Sequence, residues 1–377
     1  MDLRKYINSE EDLQKAIHFI ANGTLFYQPF IIHDNIIVGE GRNFVKRYSD
    51  VHNIYDYNLY VKGFPELENI NGAKRNTVSE EEKDFFIKIN DEYDYLYDFF
   101  INEIIEELNE PLENLSFAEI GSNTGISLLK LCEKGAKECY AYDWNNYDEL
   151  YSWYRKILNA NIHFRQCGWD NMYHRVLIKN EKTINILKRK ENIEQYKNFF
   201  KNIFRKEKII KQKSDYSFEN IYFKRDKYLE TYDVPQVDVM LNTVFTNHQF
   251  DPMQFISYCC DRSKKMVFFW ALIDGSSDTC ILRFPESSPH EEIISTEGRD
   301  FPLNYNNDIR LSEKLFYNIL SHCGFGEVKK IIPEVSEDFY NGFMIGKHGN
   351  KTEERNWRLY IGKRTSDKKS AFDKCKV

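Results

Sequence analysis

Apolar and polar positions along the chain fall into two regimes. Over the first 110 residues, helical spacing runs from about Glu10 to Asn22, followed by two β-branched and aromatic runs in TLFYQPFIIHDNIIVGEGR. These flank His33-Asp34-Asn35 and predict a hairpin. Gly39 to Gly41 add a turn signal with no strand-to-helix phosphate loop behind it. Ser79 with Glu82 three residues later forms a capping box, and FFIKINDEYDYLYDFFINEIIEEL keeps a helical period to about Leu108. From Pro111 the pattern changes to short apolar strands separated by amphipathic segments: FAEI, ECYAY, NIHFRQC, VDVMLN, MVFFWALI, VKKIIP and FMIGK. Strands alternating with helices predict crossover connections and a mostly parallel sheet of seven strands with helices on both faces. Between the third and fourth strands, Arg175 to Asp233 is too long for a simple connection and reads as a helical insertion.

The expected organisation is an α+β cap over residues 1–110, an α/β domain over 111–349 with an insertion at about 175–233, and a C-terminal extension over 350–377 that is polar at its end. The composition is 42% hydrophobic, enough for a sizeable core in 377 residues. No long apolar window and no apolar leader segment occurs, so the expectation is a cytoplasmic protein with no membrane partner. The eight cysteines show no CxxC pair and read as reduced core thiols. None of the nine histidines has metal-site spacing, so no metal is expected. A net charge of −7 argues against a general nucleic-acid binder. Locally the sign reverses: Lys179 to Lys213 holds twelve Lys or Arg against four Glu. Such a run could grip an acidic substrate or RNA, or be the solvated face of a helix whose Phe199, Phe200 and Phe204 pack inward.

The chemistry concentrates in FAEIGSNTGISLLKLC. Glu119, Gly121, Ser122, Asn123 and Gly125 stand between an apolar strand and a helix, where glycines let main chain approach a ligand and leave helix N–H groups available to it. The dinucleotide spacing G-x-G-x-x-G fails, because Asn123 and Ile126 stand where glycines are needed.

This acid-x-Gly-x-x-x-Gly pattern resembles the first motif of the class I, Rossmann-like S-adenosylmethionine-dependent methyltransferases. The resemblance extends in order over about 240 residues. It implies that Asp143, ending ECYAY, accepts the ribose hydroxyls, with Trp144 beside it; as an alternative, Asp143 could cap the following helix. It also implies that Trp169 covers the adenine ring, that Asp170 lies near the adenine amine, and that Asn242 and Thr243 lie near the cofactor. LFYNILSHCGFGEVKKI looks like the family's penultimate helix, Gly-Phe turn and sixth strand. The implied cofactor is S-adenosyl-L-methionine, and the implied product S-adenosyl-L-homocysteine.

The run VDVMLNTVFTNHQFDPMQFI is similar to that of wobble-uridine carboxymethyltransferases and of enzymes that methylate sugars and small natural products. His248 in that run suits the task of taking a proton from an acceptor hydroxyl; the alternative is a polar loop residue. His174 and His290 are weaker candidates, and His163 reads as a core or edge residue of its strand. Leu241-Asn242-Thr243-Val244 lacks the Asn/Asp-Pro-Pro-aromatic run of exocyclic-amine methyltransferases, which argues against base N-methylation. The expected acceptor is a hydroxyl of a sugar, sugar nucleotide or other polar small molecule. A tRNA-modifying transferase is the second reading, and a non-catalytic binding protein on the same fold the third.

Overall fold

In the N-terminal region, α1 (Glu10–Ala21) starts where Ser9 accepts the Asp12 N–H in a side-chain cap. β1 (Phe30–His33) and β2 (Ile36–Gly39) form the expected hairpin, and β3 (Tyr57–Val61) and β4 (Arg75–Thr77) extend it to a four-stranded sheet in the order β1-β2-β3-β4. The long helix α2 (Glu80–Leu108) begins directly after Ser79. The computed structural model describes residues 1–22, 28–39, 57–68, 75–77, 79–143, 146–166, 234–243, 246, 252–274, 281–285, 307–333 and 357–366.

The remainder is the expected α/β architecture. Its elements are β5 (Ser116–Ile120), α3 (Ile126–Glu133), β6 (Glu138–Asp143), α4 (Asp148–Leu158), β7 (Ile162–Gln166), β8 (Val237–Thr243), α5 (Pro252–Arg262), β9 (Ser263–Asp274), β10 (Ile281–Pro285), β11 (Asn307–Ser312), α6 (Glu313–His322), β12 (Glu327–Ile331) and β13 (Trp357–Lys363). Seven strands run in the order β7-β6-β5-β8-β9-β13-β12. β13 is antiparallel to β9, and β12 antiparallel to β13, so six strands share one direction. β9 outruns its neighbours, and its last residues, Ile273 and Asp274, pair with β11, which carries β10 as an antiparallel edge.

One expectation needs correction. The strand closing the sheet is Trp357–Lys363, inside the stretch assigned from sequence to a C-terminal extension. Its alternation places Leu359 and Ile361 in one core and Tyr360 in the other, with all three buried, so the sheet is incomplete without it. The FMIGK run proposed for that strand lies outside the described residues, as does the insertion at about 175–233. The N-terminal cap shares the core of the large sheet. Ile17, Ile20, Ile32 and Val38 belong to the same buried cluster as Phe117, Leu241 and Phe268 of the large sheet.

The sheet has a core on each face. One face packs α1, α2, α3 and α4, with Phe100 of α2 set against Phe268 and Trp270 at ring-centroid distances of 5.3 and 4.9 Å. The other packs α5 and α6 through Phe255, Ile256, Cys259, Phe316 and Leu320. Residues of β5 divide accordingly: Phe117 lies in the first core, and Ala118 and Ile120 in the second. No helix among the described residues is long and apolar enough to cross a membrane.

Candidate functional site at the bend after β5

The order of strands reverses between β5 and β8, and at such a reversal the connections leaving the carboxyl ends diverge and open a crevice. The bend from Gly121 to Gly125 lies there. Gly121 and Gly125 have φ of 76° and 82°, and Asn123 has 53°, a left-handed geometry that favours glycine and tolerates asparagine. The bend is fastened to the neighbouring strand because the N–H groups of Gly121 and Ser122 both donate to the Tyr142 carbonyl, at 2.8 and 3.0 Å. One residue further, Asp143 accepts the Asn123 N–H at 2.8 Å, with 5% of its surface exposed. The acid and the glycine bend picked out from sequence are thus in direct contact.

The side chains of the bend turn into the protein. Tyr151 on α4 donates to Ser122 Oγ and to the Asn123 carbonyl, at 3.1 and 3.0 Å, and Tyr147 donates to Asn123 Oδ1 at 3.3 Å. A Cβ on Gly125 would stand 2.3 Å from the Tyr151 hydroxyl oxygen. The space beside this glycine is therefore filled by Tyr151, and the residue has a packing reason in addition to its turn. Gly125 is also the N-cap of α3 and makes no side-chain cap, so the first turn of that helix begins without the usual side-chain acceptor.

Behind the bend lies a chain of buried polar groups. Thr243, ending β8, donates to Glu119 Oε1 at 2.5 Å, and Ser127 reaches the same oxygen at 3.4 Å. Tyr97 of α2 receives Gln28 Nε2 at 3.5 Å. Gln28 Oε1 in turn accepts the Thr124 hydroxyl of the bend at 3.2 Å. Burial pushes the Glu119 carboxyl up to about 8, with Asp143 adding to the rise and the hydroxyls of Thr243 and Ser127 opposing it. Burial likewise pushes the phenols of Tyr97 and Tyr151 up.

Asn242 spans the gap at the reversal. Its Nδ2 donates to the Ile120 carbonyl at 3.2 Å, and its Oδ1 accepts the Thr246 N–H at 3.0 Å as well as the Thr246 hydroxyl. Asp238 pins the other end of β8, accepting the Ser116 N–H and hydroxyl at 2.9 and 2.7 Å. His163 lies on β7 with Nε2 3.2 Å from Glu138, stacked on Tyr140. Trp144, Trp169, Asp170, His174, His248 and His290 lie outside the described residues.

Of the residues singled out from sequence, Glu119, Gly121, Ser122, Asn123, Gly125, Asp143, Asn242 and Thr243 come together around the bend. Gln28, Tyr97, Thr124, Tyr147 and Tyr151 join them unannounced. For the last two, the signal available was their i, i+4 spacing at the start of the helix that follows Asp143. Gln28 carried none, since its place depends on how the N-terminal region docks.

No protein-family model matches the chain, and no curated protein matches its sequence. Among solved structures, the N-terminal domain of EvdMO1 with SAH bound is similar at 11% identity and a TM-score of 0.39, over 70% of this chain and 80% of that one. CurJ carbon methyltransferase is similar at 12% identity and a TM-score of 0.35, over 71% of this chain and 52% of that one. An O-methyltransferase family protein from Burkholderia thailandensis is similar at 10% identity and a TM-score of 0.33, over 76% of this chain and 63% of that one.

Proposed function

We propose that the chain is a methyltransferase that uses S-adenosyl-L-methionine, yields S-adenosyl-L-homocysteine, and binds both on the bend after β5. The observation that carries this reading is the contact between Asp143 and the Asn123 N–H, which sets an acid at the end of one strand against the glycine bend of the next. The residues present fit such a ligand. A carboxylate has roughly four lone-pair sites, so accepting one main-chain N–H is compatible with accepting ribose hydroxyls too. Ser122 and Asn123 are drawn inward by the two tyrosines, which leaves main chain as the surface the bend offers. The Oε2 atom of Glu119 is buried beneath the bend with no hydrogen-bond partner among the described residues.

The bound donor supplies a methyl group on a cationic sulfur, already activated for displacement. What remains for the protein is in-line placement of the acceptor and removal of its proton. We assign the acceptor as a hydroxyl of a sugar, sugar nucleotide or other polar small molecule; the net charge of −7 favours this over a polyphosphate chain. His248 is assigned the proton-accepting role, because an imidazole titrates near neutrality. A His248→Ala variant whose turnover keeps the wild-type pH profile removes that role.

Calorimetric titration with S-adenosylmethionine and S-adenosylhomocysteine tests the central reading. Wild type binds both, and Asp143→Ala weakens binding roughly 10- to 100-fold, the worth of hydrogen bonds to a charged group. Equal affinity in Asp143→Ala shows that the ligand lies elsewhere. No binding to wild type removes the methyltransferase reading.

A further inference from the structure

Glu119 has a polar environment that the proposed reaction does not use. Its side chain is 1% exposed on the first-core face of β5. Thr243 and Ser127 both direct their hydroxyl protons at Oε1, which makes Oε1 the accepting oxygen and leaves Oε2 to carry a proton. Oε2 is fully enclosed and has no hydrogen-bond partner among the described residues. Among the described residues, the titratable groups that act on Glu119 include Tyr97 from α2, Tyr151 from α4, and Cys139 and Asp143 from β6. None of the four brings positive charge. An ionised carboxylate enclosed with neutral hydroxyls and a second carboxylate is strongly disfavoured, whereas the neutral acid satisfies both donors at once.

We propose that Glu119 is a proton-linked positioning residue: it is uncharged in the free protein, with its proton on Oε2, and ionises when a cationic ligand lies on the bend. On binding, the O–H bond at Oε2 breaks, the electron pair stays on the oxygen, and the proton leaves to the buffer. The ligand's positive charge replaces the proton as the counter-charge, so binding and deprotonation favour each other. Hydrogen bonds run from Thr124 on the bend through Gln28 to Tyr97 of α2, and Thr243 of β8 holds Glu119 beneath the bend, so the surroundings of the carboxyl are tied to the surface the ligand would occupy. The identity of the ligand rests on the methyltransferase reading; the uncharged state of Glu119 in the free protein does not.

The sign follows from the raised carboxyl. Below about 8 the free protein holds the proton and must release it on binding; above about 8 it has already lost it. Affinity therefore rises with pH, approaching tenfold per unit, and levels off above that value. The first experiment is calorimetry of S-adenosylhomocysteine, which carries an ammonium group, and of S-adenosylmethionine, which adds the sulfonium. Two buffers of different ionisation enthalpy are used, at about pH 6.5 and about pH 9. The expected result is release of about one proton at the lower pH, nearly none at the higher, and none at either in Glu119→Gln, whose affinity is flat with pH. Proton release that is absent from wild type, or unchanged in Glu119→Gln, overturns the proposal.

The second experiment needs no ligand. Infrared difference spectra between wild type and Glu119→Gln show the carbonyl stretch of a neutral carboxylic acid at about pH 6.5, fading as pH rises through about 8. A carboxylate signal at the lower pH overturns the proposal whatever the ligand does. A neutral acid in a protein that binds neither compound overturns the methyltransferase reading and the linkage to that ligand, and leaves the uncharged Glu119 standing. Should Glu119→Gln fail to fold, a pH titration of wild type with carbon-13-labelled glutamate reads the protonation of the same carboxyl, and a carboxylate at about pH 6.5 overturns the proposal there too.

Discussion

Two clusters of polar groups among the described residues are treated differently. At the end of α5 and α6, the Arg364 guanidinium donates to the carbonyls of Cys260, Ser263 and Cys323, at 2.6, 2.8 and 3.2 Å, and lies 4.4 Å over the Phe325 ring. At the opposite end of α6, the Ser312 hydroxyl accepts the Leu315 N–H and caps the helix. At the bend after β5, α3 starts on a glycine with no side-chain cap, and Glu119 keeps an enclosed oxygen without a partner among the described residues. Folding alone favours saturation, because an unmet buried polar group costs about 1–3 kcal/mol. The first place, where only the Arg262 Nε lacks a partner among the described residues, reads as fastening, and the second as a surface left open among those residues.

The strongest way to break this contrast is at the fastening. Arg364→Met removes the donors of three carbonyls while keeping much of the apolar stem, and is expected to lower stability by about 2–4 kcal/mol in urea denaturation. Ligand affinity of the folded fraction should stay at the wild-type value. A parallel loss of affinity would mean that the two places are not separate.

Next in size is Gly125→Ala, expected to cost about 2–3 kcal/mol from left-handed backbone and from crowding against Tyr151. Adding Tyr151→Phe takes away the atom at 2.3 Å but leaves ring carbon at 2.9 Å, so the pair should recover part of the loss. A double-mutant cycle reads the coupling. Strict additivity would show that Tyr151 is not what requires glycine there.

The sequence carried the bend well and the closure of the sheet poorly, for one physical reason. Glu119, Gly121, Gly125 and Asp143 are readable because turn chemistry and strand periodicity are local. The role of WRLYIGK as β13 depends on antiparallel pairing with β9 from Trp357 opposite Leu272 to Lys363 opposite Met266, and no local pattern announces a partner so far away in sequence. β10 and β11 are short and were missed in the same way. At the site, the hydrogen bonds from Thr124 through Gln28 to Tyr97 draw on the bend, the segment before β1 and α2, so they exist only once the N-terminal region has joined the common core. Asp143 illustrates the middle case. Its position was legible, but its bond to the Asn123 N–H became visible only in three dimensions.

Glu119 gives the contrast a pH dependence. Its folded-state carboxyl is raised to about 8, so between the unfolded carboxylate range and that value the folded state binds more protons than the unfolded one. This contribution is therefore fully present below the unfolded value and declines as pH rises through the window, with a slope of at most about 1.4 kcal/mol per pH unit, and it is flat above. Denaturation of wild type and Glu119→Gln across the window isolates the slope. Parallel curves would show an ordinary ionised acid.

The smallest effect sharpens the comparison at its other end. Ser312→Ala deletes the side-chain acceptor at the start of α6 and is expected to cost about 1 kcal/mol, leaving the Leu315 N–H without its hydroxyl partner. α3 has no such acceptor to delete, and if the bend binds S-adenosylhomocysteine, ligand at a hundredfold excess over Kd adds about 2.7 kcal/mol of stability there. Because α6 and α3 belong to opposite cores of the sheet, the two terms should add, and the ligand-induced rise should be equal in wild type and Ser312→Ala. An unequal rise in thermal denaturation would show that the capped helix start and the open one are energetically coupled, and that the division between fastening and binding surface is drawn in the wrong place.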